Sequence, residues 1–231
     1  MKTTILFYLS FLMIPFFSVA QNDDDWESET YSIGDFTKID LEGGFKVFLI
    51  QGKQNSLTIK ATDRDVFDYI EVKNYESTLD VEVDRRPFDF ERVNLHITFE
   101  TLEELKIEGG VKLKTKGYLD LQDLYVKVEG GARIEMNMKA ENVQVIGEGG
   151  MLFELKGVTK SLDVRVSGAG HVDAEELKAK NVHFRVEGVG TGNVYATETL
   201  NAKIEGVGKV KYRGNPEVTK NIEGVGSVSP D

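Results

Sequence analysis

The chain has 231 residues, with 28 Lys plus Arg against 39 Asp plus Glu, a formal net charge of −11 and no cysteine. This balance argues against a nucleic-acid binder, because neutralising a phosphate backbone needs a basic surface. The missing thiols exclude disulfides, thiolate metal sites, a cysteine nucleophile and a lipid anchor on an N-terminal cysteine.

Residues 1–20 read as a secretory signal: Lys2 supplies the charged start, Ile5 to Phe17 the apolar stretch, and Ser18-Val19-Ala20 the small residues at the cleavage position. No later apolar run is long enough to cross a bilayer. The expected product is therefore exported, to the periplasm or the cell surface. Asp23-Asp24-Asp25-Trp26-Glu27-Ser28-Glu29 has little to bury, so residues 21–30 are expected to be an acidic flexible tail. Charge divides sharply after that. Residues 21–105 hold 21 acidic and 9 basic side chains, whereas residues 106–231 hold 18 of each.

From residue 31 to 105 strand-like stretches occur without a regular beat: Lys46-Val47-Phe48-Leu49-Ile50, Ser56 to Lys60, Leu79 to Val83 and Val93 to Phe99, with a helical turn between Asp65 and Ile70. Coils longer than those that follow, continuous with them, are expected here; a small separate capping sheet is the other option. Within this part, Arg85, Arg86, Phe88, Phe90 and Arg92 surround Pro87. Arginine beside aromatic residues is the composition of contact hot spots, so these five are the candidate binding residues.

Internal self-similarity is the strongest feature of the chain. Leu41-Glu42-Gly43-Gly44 returns as Ile107-Glu108-Gly109-Gly110, Val128-Glu129-Gly130-Gly131, Val145-Ile146-Gly147-Glu148-Gly149, Val166-Ser167-Gly168-Ala169-Gly170, Val186-Glu187-Gly188-Val189-Gly190, Ile204-Glu205-Gly206-Val207-Gly208 and Ile222-Glu223-Gly224-Val225-Gly226. Taking Gly43, 109, 130, 147, 168, 188, 206 and 224 as the lead glycines gives spacings of 66, 21, 17, 21, 20, 18 and 18. An aliphatic residue stands two before each lead glycine, and an apolar one usually four after it, which marks one buried face of a strand. Gly192 breaks that rule, and Val194 suggests a two-residue insertion.

At roughly 3.3 Å per residue, such a period makes a loop of roughly 55–70 Å, the perimeter of one solenoid coil of about three short strands. Coils stacked about 4.8 Å apart would pair in parallel. The expected fold is all-β, a right-handed parallel β-helix with coils of about 17–22 residues over residues 31–231: irregular coils at 31–105 and regular repeats at 106–231. A leucine-rich repeat fits the period but lacks its leucine and asparagine ladder.

Outward positions form rows as well. Glu precedes the lead glycine in six of eight copies; Lys106, Lys127, Arg165, Arg185 and Lys203 lie two residues earlier, and Lys46, Lys112, Arg133 and Lys209 three after the glycine. Two explanations stand: a self-neutralising surface, or a glutamate ladder that binds cations or sugars.

Gly188-Val189-Gly190-Thr191-Gly192 lacks dinucleotide-loop spacing, and Gly206-Val207-Gly208-Lys209 lacks the hydroxyl residue and leading glycine of a P-loop. Neither metal nor cofactor is expected. His96, His171 and His183 are scattered at outward phases. A β-helical polysaccharide lyase or hydrolase would need loops long enough to build a groove, and coils of this length leave about two or three residues per turn.

The Val/Ile-Glu-Gly-Val-Gly-x-Val repeat, together with Phe36-Thr37-Lys38-Ile39-Asp40-Leu41, Val47-Phe48-Leu49-Ile50-Gln51-Gly52 and Leu57-Thr58-Ile59-Lys60-Ala61, resembles the GIN-domain family, described as heads of auto-transporter adhesins. The resemblance spans roughly residues 31–228. It implies a β-helical cell-envelope protein of Gram-negative bacteria and brings no catalytic residues with it. The expected function is a non-enzymatic adhesion or binding module that recognises an envelope glycan or protein through its solenoid faces. The alternatives are a polysaccharide-active enzyme and a periplasmic scaffold. Ile222 to Val228 forms a last coil with no polar cap after it, so either weak end-to-end homodimerisation or capping by the early segment is expected.

Overall fold

The computed structural model of the protein describes residues 26–83 and 92–231. The first part contains β1 (Glu27–Ser32), β2 (Lys38–Gln51), β3 (Ser56–Ala61), a 3-10 helix (Arg64–Tyr69), β4 (Ile70–Tyr75), β5 (Thr78–Val83) and β6 (Val93–Phe99). The second contains β7 (Glu104–Thr115), β8 (Leu119–Asp120), β9 (Asp123–Val166), β10 (Ala169–Val186), β11 (Val189–Ile204), β12 (Val207–Arg213), β13 (Glu217–Ile222) and β14 (Val225–Pro230). From β2 onward, successive coils pair in parallel, β2 on β7, β7 on β9, β9 on β10, β10 on β11, and β11 on β12 and β13. The fold is an all-β parallel solenoid.

A single column of glycines runs the length of the stack. A Cβ on Gly109 would lie 2.3 Å from the carbonyl oxygen of Gly43, and one on Gly130 would lie 2.6 Å from that of Gly109. The same encounter recurs at Gly149, Gly168, Gly188, Gly206 and Gly224, each against the glycine one coil before, at 1.9–2.5 Å. A substituent there would occupy the neighbouring backbone, so the requirement is steric and repeats once per coil. In the first four members, Gly43, Gly109, Gly130 and Gly149, φ is also positive, at 116–130°, a region that favours glycine.

This column corrects the phase of one repeat: Gly149, not Gly147, stands in it. The spacings on either side become 19 and 19. Gly147 instead takes the inward place two residues earlier, where an ideal Cβ would meet the Met151 sulfur at 1.7 Å. Met151 fills from two residues beyond the bend the space that an aliphatic fills in the other coils. With this phase, Glu148 joins the glutamate row, and Ser167 is its one exception.

Nor is there an insertion at Gly192. It pairs in register between Val172 and Val210, and its missing side chain is replaced by the Phe184 ring, 2.3 Å from the ideal Cβ position. Large residues over small ones keep the interior filled although the coil contributions differ. The core is a continuous file of aliphatic and phenyl groups, with Leu41, Val47, Phe153, Val172, Phe184 and Ile204 all 1% exposed or less.

The gap of 66 residues has a specific origin. β5 pairs in parallel with the first half of β2, and β6 with its second half, while β7 takes the other edge of β2. The coil formed by β5 and β6 therefore stacks outside β2 although it follows it in sequence. Antiparallel strands then close this end: β3 on β6, β1 on β3 and β4 on β5. Glu27, Ser28 and Glu29, read from the sequence as part of a solvated tail, run in β1 at this edge. Their charges blunt an edge strand that could otherwise pair further. β1 lies at one end of the strand order and β14 at the other, so the early segment does not cap the last coil.

Two substitutions separate the column from its surroundings. Gly188→Ala should destabilise the protein by about 3 kcal/mol, a drop of roughly 6–12 °C in Tm for a chain this size. Gly131→Ala meets nothing within 4 Å and should change stability by less than about 1 kcal/mol. Thermal denaturation of both variants checks the contrast; equal losses would contradict the steric account.

Candidate functional site

The bend at the glycine column has two forms, and they divide the outer surface. Directly after the column glycine the first four coils carry Gly44, Gly110, Gly131 and Gly150, followed by the buried Phe45, Val111, Ala132 and Met151. The last four carry Ala169, Val189, Val207 and Val225, followed by Gly170, Gly190, Gly208 and Gly226. Apolar bulk has moved from the inner position to the outer one. Inside the later coils, Val166, Val186 and Ile204 close over the second glycine. Outside, Val189, Val207 and Val225 stack in register as an apolar ridge, 60%, 52% and 72% exposed.

Over the earlier coils the outer space is empty: a Cβ on Gly110, Gly131 or Gly150 would touch nothing within 4 Å. These glycines, with Phe45, Val111, Ala132, Met151 and Leu152, line a half-open trough of about 680 Å³. Lys46, Lys112 and Arg133 stand along one rim, paired in register from coil to coil.

The two basic rows identified in the sequence behave differently. The row preceding the glycines answers the glutamates. Lys127 pairs with Glu129; Arg185 reaches Glu187 at 2.6 Å and Glu205 at 2.7 Å; Lys203 reaches Glu205 at 2.8 Å and Glu223 at 3.8 Å. Lys203 and Arg185 hold the Glu205 carboxyl below the usual carboxylate range. The bridges are exposed and each stabilises little, but together they let like charges stack.

The row after the glycines lies on a basic face. Lys114 at 2.7 Å and the Arg133 Nε at 2.9 Å share the one carboxylate of Glu135, which they hold low, Lys114 foremost. Further along, the Phe48 ring stacks on the His96 ring with centroids 4.7 Å apart, and the Lys46 and Lys116 ammonium groups lie 5.6 and 4.6 Å from its centroid. Burial first, then Lys116 and Lys60, push the His96 pKa below its ordinary value.

Of the five residues singled out in the sequence, Arg85, Arg86, Phe88 and Phe90 lie outside the described residues. Arg92 is exposed just before β6, and its carbonyl oxygen accepts a hydrogen bond from the Thr62 N–H at 3.3 Å. His171 hydrogen-bonds Thr191 Oγ1 at 2.7 Å, and His183 is solvent-facing. Among the described residues, no three His, Cys, Asp or Glu side chains are grouped to hold a metal ion. No helix among them is long and apolar enough to cross a membrane. The trough was not legible beforehand. Its signal in the sequence was the change from Gly-Gly to Gly-Val-Gly between the two halves.

The molecule is thus a parallel β-solenoid whose outer face changes from a basic-rimmed trough to an apolar ridge along one column. Residues 35–216 match the family described as "Putative auto-transporter adhesin, head GIN domain", and the chain belongs to this GIN-domain family. Solved structures share the fold. A "putative adhesin" from Bacteroides fragilis superposes with a TM-score of 0.83 at 23% identity, covering 89% of this chain and 97% of that one. A "putative adhesin" from Parabacteroides distasonis gives 0.67 at 20% identity, covering 90% and 98%. A "putative lipid binding protein" from the same organism gives 0.69 at 20% identity, covering 91% and 98%. No curated protein sequence matches the chain.

His96 gives the stability a pH dependence with a defined sign. Its folded-state pKa is depressed, so the unfolded chain takes up its proton more readily and stability falls as pH drops below the ordinary histidine value of about 6.5. Thermal melts between about pH 7.5 and 5 should show this loss. His96→Phe should flatten it, and an unchanged slope would contradict the assignment.

Proposed function

We propose that the protein is an exported, non-enzymatic adhesion module of the cell envelope that holds an extended glycan or protein partner against its solenoid surface. The observation that carries this reading is the glycine column, which stacks backbone on backbone once per coil from Gly43 to Gly224. The stack it aligns is long, rigid and periodic, a form that suits an extended partner better than a small substrate. Membership of a family described as adhesin heads supports it, as do the names given to the structures that share the fold.

Residues 1–20 act in this proposal as the export signal, and the mature chain works in the periplasm or on the cell surface. The candidate segment from Arg85 to Arg92 is a second contact region, tested by replacing Arg85, Arg86 and Arg92 together with alanine. The free edges of β13 and β14, paired on one side only among the described residues, provide for weak end-to-end association of two copies.

Two measurements test the proposal. A tagged copy on intact cells should be cleaved by added protease, and purified protein should retain at least one ligand from an array of envelope glycans and proteins. Protection until lysis would restrict the partner to the periplasm. An array without any retained ligand would refute the adhesion reading. Light scattering should show a concentration-dependent dimer that Val225→Lys, at an exposed position of β14, weakens; a strict monomer at high concentration would exclude end-to-end pairing.

A further inference from the structure

We infer that the trough over Gly110, Gly131 and Gly150 binds a linear acidic polysaccharide laid along the solenoid axis. This rests on the adhesion reading and names its ligand class and its site.

The pattern of charge comes first. On a chain of net charge −11, the trough rim carries a cation in each of its first three coils, Lys46, Lys112 and Arg133, held in register by the strand pairing, and Leu152 in the fourth. Adjacent coils lie about 4.8 Å apart, so the three cations form a line roughly 10 Å long. Lys114 stands beside Lys112 on the same strand face, and Glu135 offsets only one of the two charges it bridges. A ligand with a single anionic head, such as a fatty acid, would call for cations gathered at one end of an enclosed apolar slot. Here they are strung along a half-open one, which fits a ligand whose negative charges also repeat.

Shape agrees with this. Among the described residues the trough is half-open, and its glycines leave the backbone uncovered, so a chain of rings can approach more closely than any side chain would allow. The floor supplied by Val111, Ala132, Met151 and Leu152 suits the C–H faces of sugar rings. The trough also has a built end. Beyond Gly150 the same column carries Ala169 and then Val189, and this rising ridge limits the site to the first four coils, about 14 Å of length. Nucleic acid fits less well, because its dense phosphates require cations on a scale that an acidic protein with one basic row does not offer.

The test uses the mature chain and two polymers of matched length, alginate oligomers, whose every sugar carries a carboxylate, and an uncharged β-glucan, with binding read by calorimetry. Alginate should bind and the glucan should not, and affinity should fall as salt rises. Lys112→Glu and Arg133→Gln should each weaken alginate binding about tenfold or more. Gly131→Phe, which places a ring in open space, should block the trough and leave the melting temperature close to wild type. Lys209→Glu, in the same row but beside the ridge, should bind as wild type does.

No binding of alginate, equal binding of the glucan, or binding unaffected by Lys112→Glu and Gly131→Phe would each overturn the inference. Tighter binding of single-stranded DNA or polyphosphate than of alginate would also overturn it, in favour of a phosphate polymer. If alginate fails while the array still retains another ligand, this site assignment falls and the adhesion reading stands.

Discussion

Backbone against backbone at the glycine column is the contact on which the rest of the molecule depends. Each coil turns beneath the carbonyl of the coil before it, and the space left for a substituent is 1.9–2.6 Å, far inside van der Waals contact. Because that contact aligns the coils at one corner, every other position is forced into line with its copies. The buried file of Phe153, Val172, Val210 and Val228 and the exposed glutamate row are both consequences of it. Hydrophobic burial supplies most of the stabilisation, at about 1.5–3 kcal/mol per fully buried aliphatic side chain. The column decides which side chains are the buried ones.

Most of this was legible in the sequence because glycine at a fixed phase is a steric requirement with no substitute. The error at Gly147 shows where such legibility stops. Two glycines lay within reach of the phase, and only the third dimension reveals that Met151 fills the space at one and the Gly130 carbonyl crowds the other. The first 105 residues were harder for a different reason. β2 has its neighbours on both sides later in the chain, so spatial order and sequence order part company there. No periodicity can report that inversion. Of the strands that close the end, β3, β5 and β6 follow local alternation and could be seen as strands, whereas β1 read largely as a tail and β4 was not picked out, and none of their partners could be read.

The candidate site lies between these cases. Lys46, Lys112 and Arg133 were visible as a row, and the glutamates offered themselves as their counter-charges. In the structure the preceding row, Lys127, Arg185 and Lys203, takes that part, while the following row borders an open trough on the opposite side of the bend. Counting charges by period gives neutrality; only the direction of the bend tells which charges meet.

The two forms of bend carry a further implication for how such a surface can vary. Moving a side chain from the inner to the outer side of the corner needs only an exchange of two residues, from Gly-Phe or Gly-Val to Val-Gly, as in Gly44-Phe45 against Val207-Gly208. The column glycine stays in place, with a positive φ only in the first form of bend, and the interior is made good by a neighbouring aliphatic such as Ile204. Surface relief is therefore written one coil at a time, in a dipeptide separate from the residues that hold the stack together. A solenoid built this way can lengthen, shorten or relocate its trough without redesigning its frame, much as type is reset in a fixed chase.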